Sequence, residues 1–313
     1  MTEHGVHAVC AVVVTYHPDS KLLNELLDAV SVQVGSTVVI DNTVSEDTGW
    51  LGEAFVDHVH VLRQNENLGL AVAQNLGIDW ARRHGYRYVL LLDQDSTPGE
   101  GMVQALLTAL LRLANATAVA AVGPRFHDLR EDRDAPFVRV GSLVNRKLWC
   151  ERPDQVLACD FLISSGALIP LDVIKAVGDM DPGLFIDNVD LEWSFRVRSR
   201  GYGLYGVCAA TMHHRLGDSR RALPFGLGQV VVHGPTRLYF MMRNRLRLYW
   251  MPHTPINWVI QDVPRVIVKL FLFGVLIGPR LRNLRFMLRG IGDGLRGRQG
   301  PCPMPTYRKQ VLR

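Results

Sequence analysis

Two carboxylates two residues apart, Asp93 and Asp95, follow an apolar run from Tyr88 to Leu92. Such a run predicts a strand buried on both faces of a parallel sheet. Gln94 lies between the two acids and Pro98 turns the chain away, which places them at the carboxyl edge where open α/β sheets bind ligands. Two oxygen donors there suit a divalent cation that also binds phosphate oxygens. The alternative interpretation is a polar turn after a strand.

A second group of acids occurs at residues 187–192. A helix that begins near Asn188 places Asp190 in its first turn, where the helix dipole stabilises a carboxylate that can act as a general base. Glu192 and Arg196 lie one turn apart and can pair. The alternative is an acidic helix start with a surface ion pair. A metal site and a base together are more specific than either alone.

Polar residues also follow two other predicted strands. Asp41 comes directly after Val38–Ile40 and can accept hydrogen bonds from a base or ribose, or it forms an Asx turn. The stretch 65–77 opens a helix with Asn67, Gly69 and, six residues later, Asn75. Its small residues allow close approach of a ligand, and a helix N-terminus favours phosphate. The stretch is neither GxGxxG nor a P-loop.

Histidine and arginine residues occur near the end of the predicted domain. His213 and His214 follow a strand predicted at 205–212, where an imidazole either completes a metal site begun by Asp95 or lies in a solvated turn. Arg237 and Arg243 occur on a predicted helix at 237–245, where they bind phosphate or cap the sheet edge.

Strands and helices alternate along the first half of the chain. Strands are predicted at 8–14, 37–40, 59–62, 88–92, 119–122 and 161–163, and helices at 21–32, 49–55, 70–84, 99–114, 171–177 and from Asn188. This alternation predicts βαβ units and a mainly parallel sheet flanked by helices. Residues 125–156 are predicted to be irregular, with a mobile loop at 130–134.

Composition limits the function further. The 313 residues carry a net charge of +5, but residues 263–313 hold eleven Lys or Arg against one acid, so a basic extension follows an acidic body. The extension contains apolar runs interrupted by charges, which predicts amphipathic helices at a membrane surface and not a membrane span or a nucleic-acid site. A helical pair packed on the body is the alternative.

The five scattered cysteines indicate neither a disulfide framework nor a zinc site. Free cysteines of this kind favour a reducing cytoplasm. The N-terminal apolar run is too short for a signal peptide.

These features together resemble the inverting GT-A glycosyltransferases of family 2, and within them the bacterial rhamnosyltransferase-like branch. The matching stretches, in family order over residues 8–250, are VVVTYHPD, VVIDNT, NENLGLAVAQNLGI, LLLDQDS, FLISSGALI, LFIDNVDLEW, HHRLGD and RLYFMMRN. The resemblance implies a GT-A domain over residues 1–250, a Rossmann-like fold for nucleotide-diphosphate sugars, followed by a helical membrane-associating extension over 251–313.

The resemblance also implies a role for each candidate residue. The donor, a nucleotide-diphosphate sugar and most specifically dTDP-L-rhamnose, would be bound with Mg²⁺ or Mn²⁺. Nucleotide-sugar contacts are expected from Thr15, Asp41, Asn67, Gly69, Asn75, Asp93, Gln94 and Arg243; metal contacts from Asp95, Asp93 and His214; acceptor contacts from Ser165, Gly166, Glu192 and Trp193; and base catalysis from Asp190, with Asp187 as the second candidate because Val189 replaces the glutamate that many members carry.

The expected product is a bacterial cell-surface polysaccharide, made on a lipid-linked or oligosaccharide acceptor at the inner face of the cell membrane. The sequence leaves three alternatives open: a UDP- or GDP-sugar donor, a nucleotidyltransferase, and a binding scaffold without turnover. Nucleotidyltransferases carry a Gly-rich basic loop after the first strand, which Thr15–Pro18 lacks. Oligomeric state is left open.

Overall fold

The computed structural model describes residues 5–44, 58–128, 133–214, 220–222 and 229–304. It divides into two compact units. Unit 1 comprises Met1–Asp181 with Val189–Leu216, and unit 2 comprises Pro182–Asn188 with Gly217–Arg313. The compact units are divided elsewhere in the chain than after residue 250. The domain boundary predicted after residue 250 therefore stays a prediction.

The strands and helices of unit 1 alternate as the sequence predicts. The strands are β1 (Val9–Thr15), β2 (Ser36–Asp41), β3 (Val59–Arg63), β4 (Tyr88–Asp93), β5 (Ser96–Pro98), β6 (Val119–Asp128), β7 (Arg133–Asp134), β8 (Phe137–Arg139), β9 (Arg146–Leu148), β10 (Val156–Cys159), β11 (Leu168–Pro170) and β12 (Gly203–His214). The helices are α1 (Ser20–Ser31), α2 (Leu70–Arg83), α3 (Met102–Ala114), α4 (Leu171–Val177) and α5 (Val189–Ser199). The helix predicted at 49–55 lies outside the described residues.

Ten of the described strands form one mixed sheet with the order β10-β12-β6-β11-β4-β1-β2-β3, and β5 and β7 pair with β12 and β6. The pairs β4-β1, β1-β2, β2-β3 and β6-β12 are parallel, whereas β11 runs antiparallel between β4 and β6. The central parallel strands β1, β2 and β4 are buried along almost their whole length, as expected where helices cover both faces of a sheet. The predicted fold class, a mainly parallel α/β sheet, is confirmed.

Helices pack on both faces of the central strand β1. Val9, Ala11 and Val13 of β1 join a buried cluster with α1 and α3. On the other face of β1, Val12 lies so close to α2 that a Cβ on Gly77 would come within 2.2 Å of its Cγ1. Gly77 therefore allows α2 to lie directly on the central strand.

The sequence prediction differs from the structure between residues 123 and 163. β6 continues through Gly123 and Pro124, because the pairing with β12 shifts register between Val207 and Thr211 and so accommodates a proline that has no N–H to donate. The segment predicted to be irregular contains β7, β10 and the β8–β9 hairpin, while residues 129–132 of the predicted loop lie outside the described residues. Residues 161–163 form no strand.

A disulfide joins Cys150 to Cys208 of β12. The prediction that the cysteines form no disulfide is wrong, because the fold brings together two residues that are 58 positions apart. The other three cysteines, Cys10, Cys159 and Cys302, are free thiols.

Unit 2 is mainly helical in its described part. It contains β13 (Arg220–Ala222) and β14 (Gln229–Val231), which pair antiparallel, and α6 (Pro235–Tyr249), α7 (Ile256–Phe271), a π-helical turn (Leu272–Leu276) and α8 (Arg280–Leu295). The two amphipathic helices predicted in the extension are thus present as α7 and α8. Within the described residues, no helix has the length and apolar character needed to cross a membrane.

Candidate active site

The carboxyl ends of β4, β1 and β2 bring three predicted donor-binding residues to one edge of the sheet. Thr15 pairs in register with Asp41, and Val14 pairs with Asp93. The Thr15 hydroxyl donates to Asp41 Oδ1 at 2.9 Å, and the backbone N–H of Thr43 donates to the same oxygen at 3.1 Å. Thr15 and Asp41 are buried, so this pair is a fixed, hydrogen-bonded floor at the edge of the sheet.

Gln94 connects the turn after β4 to the turn after β1. Its Oε1 accepts from the backbone N–H of Tyr16 at 2.7 Å, and its Nε2 donates to the Tyr16 carbonyl at 3.3 Å. The side chain therefore holds the two turns together, and its amide is already engaged. These bonds show that Gln94 orients the Asp93–Asp95 turn. Its expected contact with a donor stays a prediction.

The strand pairing places His214 beside the acidic turn. Asp95 directly precedes β5, and Ser96 of β5 pairs in register with His214 of β12. The backbone thus supports the predicted grouping of Asp93, Asp95 and His214. His213 is the partner of Thr97, and its ring packs against His127 with centroids 5.9 Å apart. Within the described residues, no three His, Cys, Asp or Glu side chains form a ready metal cluster.

Ser165 and Gly166 support the acidic turn from beneath. The Ser165 hydroxyl accepts from the backbone N–H of Asp93 and donates to the Ser96 hydroxyl, both at 3.0 Å. Gly166 has a φ of +80°, and a Cβ there would come within 2.6 Å of Pro124. Both residues are buried and support the turn, and the acceptor contacts expected of them stay a prediction.

The start of α2 is shaped by Asn67 and Gly69. Asn67 Oδ1 accepts from the backbone N–H of Gly69 at 3.0 Å, and Gly69 adopts a φ of +84°. Asn75, one turn into the helix, uses both amide atoms on the backbone of Met180 at 2.9 Å. Asn67 and Gly69 remain candidates for the donor site, whereas Asn75 anchors α2 to the chain before α5.

Asp190 lies in the first turn of α5, where Oδ1 accepts from the backbone N–H of Leu191 at 2.8 Å. The side chain is half-buried. The structure therefore retains the predicted placement of an acid at a helix N-terminus, where the dipole favours the ionised form.

Glu192 and Trp193 point into the protein and anchor α5. Glu192 accepts two hydrogen bonds from Arg196, at 2.8 and 2.9 Å, and Arg196 also donates to the carbonyls of Val177 and Asp179. Trp193 is buried and donates its ring N–H to the Gly178 carbonyl at 3.2 Å. The predicted Glu192–Arg196 pair is present, but it is buried and not on the surface. These bonds favour a structural role for Glu192 and Trp193, and the acceptor contacts expected of them stay a prediction.

Asp187 belongs to unit 2, where its carboxylate is largely buried. Arg237 Nε lies 3.3 Å from Asp187 Oδ1, while Oδ2 has no hydrogen-bond partner among the described residues. Burial raises the pKa of the Asp187 carboxyl, and Arg237 opposes this rise. A raised pKa is compatible with a general base, so Asp187 stays the second candidate.

Arg243 is fully buried and holds the backbone of residues 183–188. Its guanidinium donates to the carbonyls of Gly183, Leu184 and Gly300. The next residue, Asn244, donates to the carbonyls of residues 184, 186 and 187 at 2.6–2.9 Å. The donors of Arg243 are used within unit 2, so these bonds do not support the phosphate contact, which stays a prediction. Asn244, which the sequence analysis missed, carries no signal beyond its place beside that arginine.

Comparison with known proteins agrees with this geometry. Residues 10–171 match the family described as Glycosyl transferase family 2. The chain belongs to this family. The glycosyltransferase is 29% identical to the dTDP-rhamnosyl transferase RfbF of Shigella flexneri over 300 residues, covering 93% of this chain and 97% of that protein. It is also 29% identical over 152 residues to an uncharacterized protein, Rv1525, of Mycobacterium tuberculosis, of which it covers 54%.

Two solved structures share the fold. GalNAc-T7, crystallised with UDP, GalNAc and Mn²⁺, aligns with a TM-score of 0.56 and 13% identity over 92% of this chain and 56% of that chain. TarS of S. aureus, residues 1–349, aligns with a TM-score of 0.56 and 12% identity over 92% of this chain and 80% of that chain. At these identities the likeness concerns the fold, and it identifies this glycosyltransferase as a GT-A protein.

Proposed function

We propose that this glycosyltransferase moves L-rhamnose from dTDP-L-rhamnose to a hydroxyl group of a lipid-linked or oligosaccharide acceptor, with inversion at the anomeric carbon. The observation that carries the proposal is the similarity to a dTDP-rhamnosyl transferase over nearly the whole of both chains. That similarity extends beyond the matched family segment into unit 2. A UDP- or GDP-sugar donor is the competing proposal, and a scaffold without turnover is the third.

The donor site that we propose lies at the carboxyl ends of β4, β1 and β2. Asp41, fixed by Thr15, would accept hydrogen bonds from the nucleotide, and Asp93 would contact the ribose side. Asn67 and Gly69 would approach the phosphates at the start of α2, where backbone N–H groups favour an anion. These roles are supported by the shared edge and by the hydrogen bonds that fix Asp41.

Asp95, together with Asp93 and His214, would hold Mg²⁺ or Mn²⁺. Carboxylate oxygens and an imidazole nitrogen form a donor set that either ion accepts. The bound ion would neutralise charge on the departing diphosphate. The register that pairs Ser96 with His214 supports this assignment.

Asp190 is the proposed general base. It would take the proton of the acceptor hydroxyl while that oxygen attacks the anomeric carbon from the face opposite the diphosphate, which inverts the configuration. A helix N-terminus favours a negatively charged side chain, which suits the first turn of α5 to a base. Asp187 would serve if Asp190 does not.

We further propose that the enzyme acts in cell-surface polysaccharide synthesis, bound peripherally to the inner face of the cell membrane. The support is the family resemblance, the amphipathic helix α7 and the arginine-rich helix α8. The disulfide between Cys150 and Cys208 removes the argument for a reducing compartment that the scattered cysteines suggested.

Calorimetric titration with dTDP, UDP and GDP, with and without Mn²⁺, tests the donor. Metal-dependent binding that prefers dTDP supports rhamnose, preference for UDP or GDP replaces it, and no binding supports the scaffold.

Asp190→Asn tests the base. We expect a loss of about 10²- to 10⁴-fold in kcat with dTDP binding unchanged. Asp28→Asn, on an exposed position of α1, is the matched control. Wild-type kcat in the Asp190→Asn variant would reject Asp190 as the base.

A further inference from the structure

Helix α7 has apolar residues on its exposed side and polar residues on its buried side. Gln261 and Asp262 are buried, whereas the exposed apolar side chains, 41–67% accessible, are Ile256, Ile260, Val263, Ile267, Val268, Phe271 and, in the π-helical turn, Val275. They recur every three or four residues and so form one stripe, which we name the α7 stripe. A contiguous apolar surface of this kind marks an interaction site.

The charges around the α7 stripe select an anionic partner. Within residues 255–300, the exposed charged side chains are all arginines: Arg265, Arg280, Arg285, Arg289, Arg296 and Arg298. The two acids of the segment are buried and bonded, Asp262 to the Tyr249 hydroxyl at 2.7 Å and Asp293 to the Tyr239 hydroxyl at 3.0 Å. Apolar residues flanked only by arginines favour an anionic lipid surface, whereas two copies of this face would repel each other.

A cavity of about 370 Å³ lies beside the stripe, between β14, α7 and the π-helical turn. Its walls are mainly apolar, and its polar lining is cationic or imidazole: His233, Arg265 and Lys269. No carboxylate is among the described residues that line it. Val268 belongs to both the cavity wall and the stripe, so a ligand's chain can pass from the cavity onto the exposed face of α7.

Lys269 is the group in this cavity that most needs an anion. Among the described residues, its ammonium has one hydrogen-bond contact, a weak one to Met241 Sδ at 3.8 Å. Burial lowers the pKa of Lys269 to about 8. Nearby charges act in both directions, with Arg245 and Arg237 lowering that pKa and Asp187 and Asp262 raising it. A partly buried ammonium with no oxygen partner among the described residues is destabilising, and a bound phosphate would compensate for it.

We propose that this cavity binds the phosphate monoester head group of a lipid, with Lys269 and Arg265 on the phosphate and the lipid chain along the α7 stripe. The inference rests on the proposed function in one respect, because it identifies the lipid carrier of the acceptor as a lipid phosphate. It assigns a second anion site to the chain, in unit 2 and separate from the donor site of unit 1.

Vesicle flotation of the full chain tests the proposal. The vesicles are phosphatidylcholine alone, phosphatidylcholine with phosphatidylglycerol, and phosphatidylcholine with a long-chain polyprenyl phosphate at matched negative charge. We expect the tightest binding to the polyprenyl phosphate vesicles. Equal binding to both anionic vesicles would reject a specific phosphate site and leave a general bilayer contact.

Two variants separate the head-group site from the stripe. Lys269→Met should weaken binding to the polyprenyl phosphate vesicles roughly tenfold or more, as loss of a charged hydrogen bond implies, and should leave binding to phosphatidylglycerol vesicles unchanged. Ile260→Ser with Ile267→Ser should weaken both. The matched controls are Lys21→Met and Val32→Ser, at exposed positions of unit 1.

Wild-type flotation of the Lys269→Met variant overturns the head-group assignment, and wild-type flotation of the serine variant overturns the stripe. Arg265→Gln, at an exposed position, gives a second reading if Lys269→Met does not fold. Titration with dTDP in solution reports the donor site without vesicles, so failure of the lipid site and failure of the proposed function are distinguishable.

Discussion

Replacing Glu192 by glutamine distinguishes a structural role from an acceptor contact. The Glu192 side chain is 3% exposed and that of Arg196 is 15% exposed, and the two share a bidentate ion pair. Removing one partner of a buried pair costs about 3–5 kcal/mol because the other charge is left uncompensated. Arg196 keeps its bonds to two carbonyls, so we expect the lower end of that range, about 3 kcal/mol.

The expected change is measurable by thermal unfolding. A loss of about 3 kcal/mol lowers Tm by roughly 6–12 °C for a unit of this size, at about 2–4 °C per kcal/mol. The matched control is Glu25→Gln, which removes another i,i+4 pair, with Lys21 at 3.9 Å and side chains 42% and 82% exposed. An exposed helix pair is worth about 0.3–0.5 kcal/mol, so this control should melt close to wild type.

Kinetics complete the test. If Glu192 contacted the acceptor, Glu192→Gln would keep the wild-type Tm and raise the KM for the acceptor. If it anchors α5, Tm falls while the KM of the folded enzyme for the acceptor stays the same. A Glu192→Gln variant that melts together with Glu25→Gln would refute the argument from burial.

Three further predictions concern a lysine, a disulfide and an asparagine of the two units. Lys269→Met should raise the free energy of unfolding at pH 7 by about 1–3 kcal/mol. Because the folded-state pKa of about 8 lies below the ordinary value of 10.5, this stabilisation relative to wild type should shrink between pH 8 and 10.5. A difference in Tm that does not change with pH would contradict this. Reduction of the Cys150–Cys208 bond should lower the free energy of unfolding by about 2–4 kcal/mol, and Cys150→Ser should have the Tm of the reduced protein. A thiol titration should count three thiols before reduction and five after it, which would verify the bond. Asn244→Ala should lower both Tm and kcat. The control is Asn283→Ala, which removes a similarly buried amide bonded to two carbonyls and should lower Tm alone. Equal kcat values in the two variants would exclude a positioning role for Asn244.

The central strands were predictable because they carry two local signals. β1, β2 and β4 are apolar runs that end in polar residues, and the structure places their ends within a residue or two of the prediction. The polar ends fall at one edge because parallel strands align, so Asp41 and Asp93 could be grouped from sequence. β6 was predicted to stop at Gly123 because a Gly-Pro pair usually ends a strand, and only the irregular pairing with β12 allows it to continue.

The roles of the supporting residues depend on long-range contacts that no local pattern reveals. Asn75 bonds to Met180, 105 residues away, and Arg243 bonds to Leu184, 59 residues away. An amide or guanidinium near a predicted site suggests a ligand contact, but the fold uses these groups on backbone carbonyls and N–H groups. The Cys150–Cys208 bond has the same cause, because pairing of distant cysteines follows the fold and not their spacing.

Ser165, Glu192 and Arg243 are buried, and their polar atoms bond to protein groups. The segment that leads into α5 contains Phe185, Asp187 and Asn188, all with positive φ, a conformation that costs on the order of 1–3 kcal/mol each. Such strain persists only where the surroundings hold it, and Arg243 with Asn244 does so through the carbonyls of residues 183–187. Arg243, which sequence reasoning assigns to phosphate, and Asn244 therefore stabilise the backbone of residues 183–187 within unit 2.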